Sequence, residues 1–82
     1  MLQLRNTQYI LIEERNDTPE LGPYASFGIM AVRRTGEGDQ QLAYVRDVST
    51  NRAFAGALVK RCNSAQLSPV HLRDFIEDAL ET

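Results

Sequence analysis

His71 is the only histidine in this 82-residue chain, and Asp74 follows it by three positions. On a helix that spacing puts both side chains on one face, as for a general base oriented by a carboxylate. An ordinary first-turn histidine beside a surface aspartate has the same spacing and is the commoner case. Cys62, the only cysteine, could pair with His71 as nucleophile and base. It falls near a helix end, however, where the dipole raises a thiol pKa, and it shares an i, i+4 row with Phe54 and Leu58. That makes it a core residue. Asp47 and Ser49 could join His71 in a triad, but Ser49 stands where a helix needs a cap and no Gly-x-Ser-x-Gly elbow is present. One histidine and one cysteine, even with Asp74 or Asp47, lack the paired spacing of a zinc site. No metal and no cofactor are expected.

Arg33, Arg34 and Arg46 form a second group, a small basic end beside a glycine hairpin. Such a cluster could meet a phosphate or an acidic partner, or simply be a solvated strand end. The hairpin itself, Thr35–Asp39, lacks the lysine and the helix start of a phosphate loop. The formal net charge of −2 also argues against a nucleic-acid binder, which usually carries a basic face.

The elements that must position these groups follow from patterning. A chain of this length is one domain, 1–82, and hides only about 60% of its extended surface on folding. Its 43% apolar content is enough for a single layer of core. Residues 2–14 read as a strand, with Ile10 and Ile12 facing one way and Tyr9 and Leu11 the other. Residues 15–23, with two prolines and a glycine, read as a loop. Tyr24–Arg34 is a second strand, in which Gly28 implies a bulge or a close approach by another backbone or a large side chain, best explained as room for an aromatic from a helix. Gln40–Val48 is a third, completing an antiparallel meander.

A first helix is expected from about Asn51 to Cys62, capped by Ser49 or Thr50 and ended by Asn63 in a left-handed conformation. The clearest helix comes last. Ser68 is a good cap, Pro69 falls at the first helical position, and Leu67 and Leu72 form a staple. Leu72, Phe75, Ile76, Ala79 and Leu80 then make one apolar stripe. The fold class is α+β: a three-stranded antiparallel meander followed by a two-helix hairpin packed on one face. Tyr9, Leu11, Tyr24, Met30 and Val32 are expected to leave apolar surface on the other face.

The helices differ in charge. The first carries Arg52, Lys60 and Arg61; the second carries Asp74, Glu77, Asp78 and Glu81 against Arg73. Modest interhelical pairing is the plainer expectation, and an acidic face offered to a basic partner the sharper one.

Taken in order, Phe27-Gly28-Ile29, Asp47-Val48-Ser49, Cys62-Asn63 and Leu67-Ser-Pro-Val-His-Leu-Arg-Asp-Phe-Ile-Glu-Asp-Ala-Leu80 resemble a family of small proteins catalogued as a domain of unknown function, mostly from anaerobic Gram-positive bacteria. The likeness covers nearly the whole chain from about Tyr9. Phe27 stands where a tyrosine is common, and Val48 replaces isoleucine. The resemblance implies no reaction, cofactor or partner. It singles out Asp47, Ser49, Asn63, His71, Asp74, Glu77 and Asp78 as pattern positions.

The lone cysteine fits a reducing compartment, and Met1–Thr7 lacks a basic region followed by an apolar run. Tyr9–Ile12 is only four residues long, far short of the roughly 20 needed to span a bilayer. A cytoplasmic protein without membrane contact is expected. The first functional expectation is a non-catalytic interaction or regulatory module. Its partner is itself, as a homodimer, or another protein, and its surface includes Asp47, Ser49, His71, Asp74, Glu77 and Asp78. The alternatives are a small enzyme or enzyme subunit with a site near His71, and a nucleic-acid binder through Arg33, Arg34 and Arg46.

Overall fold

The computed structural model describes residues 7–81. Three antiparallel strands, β1 (Thr7–Thr18), β2 (Gly22–Thr35) and β3 (Gly38–Ser49), form one sheet in the order β1-β2-β3. Helix α1 (Arg52–Ala65) and, after a 3-10 turn at Pro69–His71, helix α2 (Leu72–Leu80) complete the chain. The α+β meander-plus-hairpin expected from the sequence is the fold observed. The expected start of the first strand, with Leu2 and Leu4, lies outside the described residues.

The expected loop at 15–23 is mostly strand. β1 runs on to Thr18, and Arg15, Asn16 and Asp17 pair with Ala25, Tyr24 and Pro23. Only Pro19, Glu20 and Leu21 are left as a turn, closed by Gly22 at φ +70°. Pro23 is tolerated because β3 reaches only as far as Phe27, which pairs with Ser49. Beyond Phe27, β2 has one neighbour, so the missing N–H of Pro23 interrupts no second ladder.

The core lies between one sheet face and the helices. Tyr9, Ile29, Ala31 and Val48 from the strands meet Leu58, Cys62, Leu72 and Ile76 from the helices, all buried. Tyr9 is therefore not on the uncovered face; it is 2% exposed within the core. Strand alternation carries Leu11 to that side with it and places Ile10 and Ile12 on the open face instead.

Tyr9 also anchors the helices. Its backbone N–H donates to Asn63 Oδ1 at 2.8 Å, and its C=O accepts from Asn63 Nδ2 at 3.0 Å. Its phenol donates to the Leu67 carbonyl. One side-chain amide thus pairs with the outer edge of β1 as a neighbouring strand would. Asn63 consequently stays helical rather than ending α1. Gln66 takes the left-handed conformation, φ 52°, with its N–H to Asn63 O, and Leu67 N–H returns to Cys62 O. This is a Schellman closure.

The caps also shift by a residue or two. Asn51 caps α1, accepting from Phe54 N–H at 3.0 Å, and Ser49 Oγ accepts from Asn51 N–H. Ser68 holds the extended conformation of a cap, but its hydroxyl makes no capping bond. In place of the capping bond, a 3-10 turn forms, with His71 N–H to Ser68 O at 2.9 Å.

Replacing Asn63 by alanine removes two part-buried bonds and orphans two backbone groups. The expected loss is about 2–4 kcal/mol, or a fall in Tm of roughly 10 °C or more for a domain of this size. A thermal melt within about 2 °C of the parent would contradict that role. Burial, and then the Cys62 thiol beside it, pushes the Tyr9 phenol up to about 12 from 10.0. Its contribution is thus complete below pH 10 and is lost as pH rises through 12, on the order of 2 kcal/mol. Denaturant unfolding across that window should show the decline, shallower in Tyr9→Phe; equal slopes would refute it.

Candidate functional site

The open sheet face is built by the residues that alternate away from the helices. Register aligns Ile10, Met30 and Tyr44 in one row across all three strands, and Ile12 with Gly28 in the next. Tyr24 lies further along β2. Ile10, Ile12, Tyr24, Met30 and Tyr44 are half-buried, and Val32 is buried. The molecule is only 19 Å across its thinnest dimension, the depth of a sheet with one helical layer.

A carboxylate sits within this apolar band. The Glu14 side chain is 9% exposed. One oxygen accepts from Ser26 Oγ at 3.3 Å and from Asp47 N–H at 3.0 Å. The other accepts the Tyr44 hydroxyl and lies 3.8 Å from Arg46 Nε. Asn16 Nδ2 donates to Ser26 Oγ at 2.9 Å, extending the network to a fifth side chain. All three strands are tied together by one anion. Burial and then the Glu14 carboxylate raise the Tyr44 pKa, so its proton remains in the bond.

Gly28 makes the room. A Cβ there would lie 2.7 Å from the Val45 carbonyl oxygen, 2.9 Å from Glu14 Oε2 and 3.1 Å from Tyr44 Cε1. The close approach read from the sequence is real, but the aromatic comes from the adjacent strand, not from a helix. Opposite Gly28 the ladder jumps from Ile29–Val45 to Phe27–Ser49, so Arg46, Asp47 and Val48 bulge against one residue. Asp47 takes φ +54° there, which directs its N–H at Glu14.

The sequence-derived candidates are not brought together. Asp47 is exposed at the bulge, and Ser49 is occupied with the corner before α1. His71, Asp74, Glu77 and Asp78 are exposed on the helical side of the molecule. Arg46 is not beside Arg33 and Arg34. Those two pair with Gln40 and Asp39, so Arg46 lies six residues along β3, roughly 20 Å away. Arg34 is paired with Asp39 at 3.3 Å, and Arg46 with Glu14. The expected interhelical pairing is replaced by other contacts. Arg52 approaches Glu13 at 3.8 Å and covers the Phe27 ring, while Arg61 stacks on Phe75 at 5.0 Å.

A cavity of about 290 Å³ opens where β1 begins, lined by Thr7, Tyr9, Cys62, Asn63, Gln66, Leu67, Ser68 and Pro69. His71 is not among its walls. Burial raises the Cys62 thiol, against a smaller lowering by Arg61, which keeps it protonated and a poor nucleophile. Among the described residues, no group of three or more histidines, cysteines, aspartates and glutamates is placed to hold a metal ion. No helix there is long and apolar enough to cross a membrane.

The geometry thus defines a small α+β fold with one sheet face under the helices and the other covered by no described element. The chain matches, over residues 3–82, the Family of unknown function (DUF6514), and it belongs to that family. No curated protein and no solved structure matches it.

Sequence reasoning missed Glu14, Tyr44 and Asn63 as organising residues. The signal for Glu14 was its parity with Ile10 and Ile12, which sends a carboxylate to an apolar face. Gly28→Ala should cost about 2–3 kcal/mol through overpacking, since two of its neighbours are a backbone oxygen and a held carboxylate. Urea unfolding measures this; an unchanged midpoint would mean that the bulge relaxes freely.

Proposed function

We propose that this chain is a non-catalytic protein-interaction module that works through the open face of its sheet. The observation that carries the reading is the row Ile10–Met30–Tyr44, with Ile12 beside it, half-buried with no described element over it. Leaving contiguous apolar surface in water is costly, and such patches mark interaction sites. The acidic side of α2 is a poorer choice, because solvated carboxylates incur no such penalty. Of the interaction surface expected from the sequence, this reading keeps Asp47, at the rim of the open face, and sets His71, Asp74, Glu77 and Asp78 aside. A cytoplasmic setting belongs to the same proposal, supported by a lone buried cysteine that needs no oxidising compartment.

Affinity capture of the tagged protein from its native cells tests the surface. Ile12→Glu should abolish whatever stoichiometric partner is recovered, a second copy carrying another tag included. The triple variant Asp74→Asn, Glu77→Gln, Asp78→Asn should retain it. Circular dichroism would first establish that both variants fold. The reverse pattern, retention with Ile12→Glu and loss with the triple variant, would move the function to α2.

A further inference from the structure

Resting on that reading, we infer that the occupant of the open face is a second copy of this chain, packed sheet to sheet about a two-fold axis near Met30. Charge selects this face for self-contact. The one carboxylate within its apolar band, Glu14, is 9% exposed and already engaged by Arg46, Tyr44, Ser26 and the Asp47 N–H. Two copies can therefore meet there without setting free carboxylates against each other at the centre, and the exposed Arg46 and Asp47, at the β3 rim, are of opposite sign. The outer side of α2 offers Asp74, Glu77 and Asp78, all exposed, so a symmetric contact there would set acid against acid.

The edges of the sheet are poorer routes. At β1, Asn63 occupies both outward backbone groups of Tyr9. β3 is irregular at two places, between the partners of Phe27 and Ile29 and between those of Ala31 and Val32. Such bulges block strand addition. The face remains. Met30 lies on the central strand in the middle of its row, so a two-fold axis through it brings each Met30 to the other and leaves Ile10 and Tyr44 as its flanks. Methionine fits such a centre because its unbranched chain fills irregular gaps.

Size sets the strength. At about 4.8 Å between strands and 3.3 Å per residue, the band from Gln8 to Asn16 spans roughly 14 by 26 Å. Two such faces remove on the order of 800 Å² of surface in total, below the ~1,200 Å² of most stable complexes. The dimer is therefore weak and set by concentration.

Sedimentation equilibrium of the full chain checks this directly. The apparent mass should rise from 9.2 kDa toward twice that value as concentration climbs from micromolar to about 1 mM. Ile12→Glu should remain monomeric throughout. In a second measurement, Met30→Cys should be joined into a covalent dimer by a short bismaleimide, while Leu21→Cys, at the exposed hairpin tip, should not. The native Cys62 is buried and does not compete. A chain that stays at 9.2 kDa to about 1 mM, with no Met30→Cys dimer, overturns self-association. If cellular capture is nonetheless lost with Ile12→Glu, the interaction reading survives with another protein on the face. If that capture is indifferent too, both fall. Cross-linking as strong at Leu21→Cys as at Met30→Cys would also overturn the proposed geometry.

Discussion

The arrangement depends first on one side-chain amide. Asn63 offers a donor and an acceptor to the outer edge of β1 at Tyr9, and the Tyr9 phenol reaches on to Leu67. Between them these bonds fix where α1 lies on the sheet, where it ends and where the turn to α2 begins. The apolar contacts of Leu58, Cys62, Leu72 and Ile76 supply most of the driving force, but hydrophobic burial is not directional. Hydrogen bonds to a strand edge are. The amide also removes a point at which another chain could pair with that edge, so one residue sets register inside the molecule and restricts association outside it.

The opposite face is organised by a second constraint, the absence of a side chain at Gly28. Because nothing projects there, Glu14 and Tyr44 can close over β2, and the three-residue bulge of β3 can turn the Asp47 N–H toward the carboxylate. A nearly buried anion is costly unless several donors and a cation meet it. Here three donors do, with Arg46 nearby. The cluster is intelligible as a structural strap. It engages the Asp47 N–H, Tyr44 and Arg46 in the fold and neutralises the one carboxylate inside the apolar band, while the Arg46 and Asp47 side chains stay exposed at its rim.

The sequence reported periodicity well and long-range partners poorly. Three strands and two helices were legible because alternation and the i, i+3, i+4 stripe are local. The extension of β1 to Thr18 was not, because Asn16, Asp17 and Pro23 are local breakers, and only the cross-strand register and the early end of β3 make them acceptable. Cys62 could be placed in the core from its row with Phe54 and Leu58. Asn63, its neighbour, has the residue type of a helix terminator, yet it stays helical for a partner 54 residues away that no spacing rule connects to it. Arg46 follows Arg33 and Arg34 closely enough in sequence to suggest a shared hairpin end, whereas the strand between Gln40 and Arg46 separates them. Tyr9 and Leu11 were set apart from Ile10 and Ile12 correctly, but which pair met the helices depended on the same Asn63 contact.

The two sides of this molecule therefore ask different things of water. On the helical side, α2 turns Leu72 and Ile76 inward and gives Asp74, Glu77 and Asp78 to solvent, although Leu80, expected in the buried stripe, is exposed at its end, as is Val70 in the turn before it. On the sheet side, apolar groups remain half-covered around a carboxylate whose valences are already met. What sets this face apart is that no described element covers the half-buried Ile10, Ile12, Met30 and Tyr44.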